Sequence, residues 1–467
     1  MPLASFLSAF GMWLTRQTTF ASARIGFILL TAFIPPLTGL FAFRLTSNRT
    51  LAFLSGLLAC FPIYYAPFLP VTDNYAVYMI LGLSFFILLS LLPKSDNPLL
   101  VFFGFGLNSA LMTLARSDGL LWLGISILIA LWYAPQSSRS TSFLTANSSP
   151  GLFRSGFLQF AFRSLRFSFF TLIGFLLFIS PWYIRNLSAF GSLMAPGGSY
   201  TLWLTDYNDT FNYPINQLTM QSWLASGWAA ILQARLGALK LNLLNAFAAQ
   251  GGIFLFPLIL IGIWRLRKDV RIRFAVLAWV LLLGVMTFIF PFAGARGAFF
   301  HAGSALQPVW WAVVPIGLDA IITSMRRRGW FDDRAFVIFR AFLIGITILM
   351  TTVIFITRVL PGWEREDGHY AGVENLLAQH APDDGAIVIV RNPPGYYVAT
   401  GRAAIAIPAG GIPSILEVSA RYQAYYLILE LEGTSEELRT LYDDPYQSPI
   451  FHYLGESDGK RLFEIIQ

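Results

Sequence analysis

Glutamate is absent from the first 360 residues of this 467-residue chain, where nine aspartates face 25 lysines and arginines. A water-facing surface of that size needs carboxylates interspersed with its cations, so this part is not an ordinary soluble domain. The single cysteine, Cys60, sits in an apolar run, which excludes a disulfide framework and a thiolate metal cluster. Four histidines at 301, 369, 380 and 452 are too scattered to build an imidazole metal site. Neither a GxGxxG turn nor a P-loop is present, so no recognisable nucleotide cradle exists.

What fills the chain instead is hydrocarbon. Hydrophobic residues make up 56% and charged residues 12%, with a mean hydropathy of +0.61. Runs such as Ile25–Phe43, Tyr78–Leu92, Leu120–Tyr133 and Val337–Ile356 hold few or no charges and approach bilayer-crossing length. They are too long and too little alternating for barrel strands, so helices are expected. The 43 Phe, 13 Trp and 18 Tyr suit lipid-facing helices with aromatic girdles. A formal charge of +7 could suggest nucleic acid, but the cations lie between apolar runs, where they anchor loops, and no nucleic-acid partner is expected.

Residues 361–467 invert the charge balance, with sixteen acids and seven bases. The expected fold is therefore a mainly α integral membrane body over 1–360, with about ten transmembrane helices, followed by a small extracytoplasmic α/β domain over 361–467. The spans are expected at roughly 22–43, 50–68, 75–92, 98–114, 119–134, 168–184, 244–264, 274–292, 306–322 and 335–359. Residues 1–20 read as a surface-lying segment leading into the first of them. Alternating the connections collects Arg44, Arg49, Lys94, Arg139, Arg154, Arg163, Arg166, the 265–273 cations and Arg326–Arg328 with Arg334 on one face. The positive-inside bias makes that face cytoplasmic and puts both termini outside, in a plasma (inner) membrane. Within the long 185–243 loop, Leu218–Leu239 is expected to be an amphipathic helix. In the tail, a helix at Gly372–Gln379, strands at Ala386–Val390, Ala403–Ile407, Tyr425–Leu429 and Arg461–Ile466, and helices around Ser414–Tyr422 and Ser435–Tyr442 predict strands covered by helices. Asn392–Gly395 reads as a turn.

Polar groups at the outer ends of spans are the candidates for chemistry, because burying them in hydrocarbon is costly unless they serve or pair. Arg116 and Asp118, in Arg116-Ser117-Asp118-Gly119, either pair within a hairpin turn or present a guanidinium fork to a phosphate that Asp118 helps to orient. Arg185, in Pro181-Trp182-Tyr183-Ile184-Arg185-Asn186, reads as an interfacial anchor or a second cation for the same phosphate. Arg296 and His301 form a third outer cluster: a solvent-exposed loop, or donors to a sugar hydroxyl or phosphate. Asp73 either caps the third span or acts as the carboxylate that accepts a hydroxyl proton. The other outer-face acids of the membrane part are Asp118, Asp206 and Asp209.

On Leu114–Gly119, Pro181–Asn186 and the Arg296–Pro308 run, the chain resembles polytopic glycosyltransferases of the GT-C superfamily. In particular it is similar to the bacterial branch related to protein mannosyltransferases and the aminoarabinose transferase of lipid A. The resemblance covers roughly residues 20–360 in organisation, through short motifs. It implies transfer of a sugar from a polyprenyl-phosphate donor to an extracytoplasmic lipid, glycan or protein acceptor, with membrane lipids as surroundings. It leaves a divalent cation open, without a recognisable site for one. Such enzymes begin with a further span and an acidic outer loop. Here the first acid is Asp73 and residues 1–20 look like the end of that loop, so the chain is expected either to be a fragment that starts too late or to have lost the usual base. Two other classes stand beside the transferase: a flippase for lipid-linked saccharides, which calls for inverted repeats, and a non-catalytic scaffold with an outer binding domain.

Overall fold

A computed structural model describes residues 2–136, 152–194, 197–198, 200–292, 298–362, 369–381, 385–431 and 434–466. Arg139 and Arg296 lie outside the described residues, as does the glycine-bearing 293–297 segment, and Arg154 belongs to a stretch whose side chains are not described. The chain forms two compact units, Met1–Pro196 with Leu236–Phe355, and Gly197–Arg235 with Ile356–Gln467. The middle of the long loop thus belongs with the tail.

The first unit is helical. Its elements begin with α1 (Pro2–Thr15), α2 (Phe20–Ala32), α3 (Ile34–Thr46), α4 (Arg49–Cys60), α5 (Tyr75–Leu91), α6 (Pro98–Ala115), α7 (Leu120–Tyr133) and α8 (Leu152–Phe190). After α9 (Met220–Ala225) of the second unit and α10 (Gly227–Leu244), which belongs to the first unit from Leu236 onward, come α11 (Phe256–Arg265), α12 (Val270–Gly284) and the helices Ala298–Gly303, Gln307–Arg327 and Arg334–Ile354. Seven helices among the described residues are long and apolar enough to cross a membrane: Phe20–Thr46, Tyr75–Lys94, Pro98–Ala115, Phe157–Phe190, Val270–Ile289, Phe299–Arg327 and Arg334–Val359.

Three of the ten expected spans correspond to shorter helices, two of them for a local reason. Over 50–68 the helix stops at Cys60, because Pro62 disfavours helical geometry in Phe61 and the chain turns into a 3₁₀ step at Ile63–Tyr65. Over 244–264 a π-helical turn, Asn245–Gln250, precedes a break in which Gly252 and Ile253 take positive φ, and Pro257 starts α11 anew. The 119–134 helix spans only Ser117–Tyr133. The first span is itself divided at Phe33, since Pro35 and Pro36 supply no N–H to bond the preceding turn. Residues 2–15, expected to lie at the surface, form an apolar helix that packs closely on α2: a Cβ on Gly26 would come within 2.3 Å of the Leu7 carbonyl oxygen.

Helix pairs in this unit meet through small residues, which matters where lipid offers no hydrophobic drive to associate. A Cβ on Gly106 of α6 would stand 1.9 Å from the Thr171 carbonyl oxygen, and one on Gly174 of α8 2.2 Å from that of Phe103. Gly106→Ala is therefore expected to cost about 1–3 kcal/mol or more by forcing α6 and α8 apart. Gly124→Ala, with nothing within 4 Å, should be neutral or slightly stabilising. Thermal inactivation of the two variants in the same detergent reads the difference; equal midpoints would refute the interlock.

The second unit carries a five-stranded sheet, β1 (Val388–Val390), β2 (Ala404–Ala406), β3 (Tyr426–Glu430), β4 (Phe451–Ser457) and β5 (Lys460–Ile465), in the order β2-β1-β3-β5-β4. β1 runs parallel to β2 and β3, and β5 runs antiparallel to both β3 and β4. The four strands expected from sequence are present with shifts of a residue or two. β4 went unread because its burial alternates weakly around a bulge at Tyr453/Gly455. The Asn392–Gly395 turn is the capped start of a helix, Pro393–Thr400, with the Asn392 side chain accepting the Gly395 N–H. Residues 218–239 form two helices, α9 and α10, because Gly227 takes φ 84° between them. From the loop, Phe211 accepts the Ala409 N–H at 2.8 Å, which ties that segment to the tail. Inside, Arg402 is 4% exposed and binds Glu374 at 2.7 Å. Burial, and then the hydrogen bond that its hydroxyl donates to the Glu374 carboxylate, hold Tyr396 above its usual range.

Candidate functional site

The first unit gathers four of the six sequence candidates at one end of its helices. Asp73 closes the loop between α4 and α5. That loop is pinned by α2: Arg24 Nε donates to the Pro70 carbonyl at 3.2 Å and the Thr31 hydroxyl to that of Leu69 at 3.1 Å. Near its start Ile63 is held at φ 50°, a left-handed conformation that costs a β-branched residue about 1–3 kcal/mol. Asp73 does not cap α5, whose N-cap is Asn74 without a side-chain bond. Its Oδ1 instead accepts the adjacent Asn74 N–H at 2.6 Å. Oδ2 has no hydrogen-bond partner among the described residues, and the side chain is 36% exposed.

His301 reaches the same place from the Ala298–Gly303 helix. Its Nδ1 lies 3.7 Å from Asp73 Oδ1 and is otherwise buried without a hydrogen bond. Its Nε2 is 2.9 Å from the Tyr75 hydroxyl, and the two rings stack at 4.1 Å. Close approach of the chain makes this meeting possible: a Cβ on Gly82 of α5 would stand 2.0 Å from the Ala305 carbonyl oxygen. Phe300 and Phe68 pack against Tyr75 at 5.1 Å each and complete an aromatic wall.

Arg116 and Asp118 form the other half. The turn between α6 and α7 is tight enough that a Cβ on Gly119 would meet the Met112 backbone at 2.2 Å. Arg116 Nε donates to both Asp118 oxygens at 3.1 Å, with side chains 17% and 9% exposed. The Tyr78 hydroxyl donates to Asp118 Oδ1 at 2.6 Å. Burial opposes the arginine's charge, but Asp118 and the Tyr78 hydroxyl outweigh it and hold the guanidinium above its usual range. The pairing uses Nε alone, so both terminal Nη groups stay without hydrogen-bond partners among the described residues. The charges of Arg116, Asp73 and Asp118 all bear on His301, which makes one electrostatic cluster of the two halves.

Of the other two candidates, one is described. Arg185 lies 5.0 Å from the Trp182 and Phe190 ring centres and donates to the Asn186 amide oxygen at 3.1 Å; among the described residues it has no hydrogen bond or ion pair to the cluster. Arg296 is outside the described residues. The acids Asp206 and Asp209 belong to the second unit and close a local turn, Asp209 accepting the backbone N–H groups of Thr205 and Asp206 at 2.8 Å each. Tyr75, Tyr78 and Arg24 were not singled out from sequence. The signal for the tyrosines was present: two hydroxyls three residues apart on one helix face, just after an acid. Among the described residues no group of three potential ligands is placed to hold a metal ion.

No protein-family profile matches the chain, and no curated protein matches it in sequence. Three solved structures of an archaeal oligosaccharyltransferase from Archaeoglobus fulgidus align with it at low identity. The complex with zinc and sulfate has a TM-score of 0.49 at 12% identity, covering 99% of this chain and 64% of that one. The complex with an inhibitory peptide and a dolichol-phosphate has a TM-score of 0.48 at 12% identity, covering 92% and 61%. A form tethered to an acceptor peptide has a TM-score of 0.44 at 14% identity, covering 92% and 61%. The chain thus spans a little over three fifths of those proteins' length.

Proposed function

We propose that this protein transfers a sugar from a polyprenyl-phosphate-linked donor to a lipid, glycan or protein acceptor at the extracytoplasmic surface of a membrane. The observation that carries the reading is that Asp73 and Arg116 lie within electrostatic reach of each other at one end of the helical unit, Asp73 with a carboxylate oxygen and Arg116 with two guanidinium nitrogens open among the described residues. Leaving-group departure from the sugar places negative charge on the donor phosphate, and a preformed guanidinium favours that charge without reorganising. The acceptor oxygen attacks the anomeric carbon, the carbon–oxygen bond to phosphate breaks, and Asp73 takes the acceptor's proton. Asp118, bonded by both Arg116 and Tyr78, orients the arginine and is not free to act as the base. Tyr75 and His301 border the space in which the sugar hydroxyls would lie.

The test uses the purified full chain with a radiolabelled polyprenyl-phosphate sugar and a membrane extract supplying acceptors. Label should leave the lipid fraction and appear in acceptor, with free polyprenyl phosphate released. A chain that neither binds nor consumes such donors contradicts the reading. Arg185→Gln should leave donor affinity within about twofold, because its charge is held on aromatic faces away from the cluster; a tenfold loss would restore it as a phosphate ligand.

A further inference from the structure

A cationic cavity, of about 550 Å³, lies in the same helical unit, at the opposite end of α5 from Tyr75. The helix's seventeen residues put the two sites about 25 Å apart. Arg44, Lys94 and Arg271 line the cavity, and Asp269 is the acid among its lining residues. That acid is already neutralised: Arg271 Nε binds Asp269 Oδ1 at 2.9 Å, while Arg271 Nη1 donates to the Arg44 carbonyl at 2.8 Å and fixes the end of α3. Arg44 and Lys94 have no ion-pair partner among the described residues, so the cavity keeps two uncompensated positive charges. Leu40, Phe43 and Arg44 lie on one face of α3, and the two apolar side chains remain 41% and 40% exposed beside the charge. A guanidinium fork, an ammonium and an adjoining apolar strip are the complement of a phosphodiester that carries an acyl chain. The position also fits, since these residues belong to the arginine-rich connections, where basic pockets between spans meet anionic headgroups.

We propose that this cavity binds the phosphate headgroup of an anionic phospholipid from the leaflet at that end of the helices. The site is independent of the sugar-transfer reading. Detergent-purified full chain is incubated separately with dioctanoyl phosphatidylglycerol, dioctanoyl phosphatidylcholine and inorganic phosphate, and retained lipid is counted by native mass spectrometry. Phosphatidylglycerol should be retained at least about tenfold better than phosphatidylcholine. That preference should vanish in the Arg44→Gln/Lys94→Gln variant and persist in Arg44→Lys/Lys94→Arg. Equal retention of the two lipids by the native chain, or undiminished retention by the Gln variant, overturns the proposal. Displacement of the lipid by millimolar inorganic phosphate would make this a free-anion site and overturn the lipid assignment. Should the Gln variant unfold, salt decides on the native chain: retention must fall several-fold between about 0.05 and 0.5 M salt, and salt-independent retention overturns the proposal.

Discussion

Asp73→Asn is expected to slow sugar transfer by roughly 10²–10⁴-fold while leaving donor binding within about twofold. The size follows from what the substitution removes. An amide keeps the shape and still accepts the Asn74 N–H, but it cannot take a proton from an acceptor hydroxyl. Of the two carboxylates in the cluster, Asp118 has both oxygens committed to Arg116 and one also to Tyr78. Asp73 alone keeps an open oxygen, Oδ2. Single-turnover transfer with saturating donor separates the chemical step from binding. A variant with native rate would assign the base elsewhere. Donor affinity lost in step with rate would make Asp73 a binding residue instead.

His301 sharpens that test. Its unpartnered Nδ1 stands 3.7 Å from Asp73 Oδ1, beyond hydrogen-bond distance, so it orients the carboxylate only after a small closure. The sequence marked both residues as outer-face polar groups but gave no reason to join positions 228 apart in the chain. Their meeting depends on Gly82 letting the Ser304–Leu306 turn approach α5, a packing fact with no local signature. Charge was legible in a way that packing was not. Absent glutamate accompanied the long apolar helices, and acid enrichment accompanied the segment that carries the sheet. Span lengths were less so, because hydropathy at Pro62, Gly251-Gly252 and Pro35-Pro36 stays apolar while the backbone bends. Of the two roles read for Arg185, an interfacial anchor or a second phosphate cation, its placement over the Trp182 and Phe190 rings suits the first. The loop segment around Phe211 carries no motif that announces its bond to Ala409, so its membership of the second unit was invisible from sequence.

Removing one member of the Arg116–Asp118 pair should destabilise the protein and removing both should leave stability nearly unchanged, with the same consequence for function. Asp118→Ala leaves a mostly buried guanidinium and the Tyr78 hydroxyl without their acceptor, and breaking such a pair costs roughly 3–5 kcal/mol. Arg116→Met with Asp118→Leu removes both charges and fills their volume with apolar atoms, which is close to neutral for buried pairs. If the pair served only to lock the α6–α7 hairpin, that double variant would fold and keep its donor. On the proposed reading it folds and loses donor affinity by about 10–100-fold, the worth of a charge-assisted contact to phosphate. Thermal midpoints of the single and double variants, measured beside binding of a polyprenyl-phosphate sugar, separate the two roles. A double variant that is stable and still binds donor natively would return Arg116 and Asp118 to the status of a turn. A stable double variant that no longer binds would mean that the ion pair is kept for its ligand, since an apolar pair holds the hairpin equally well.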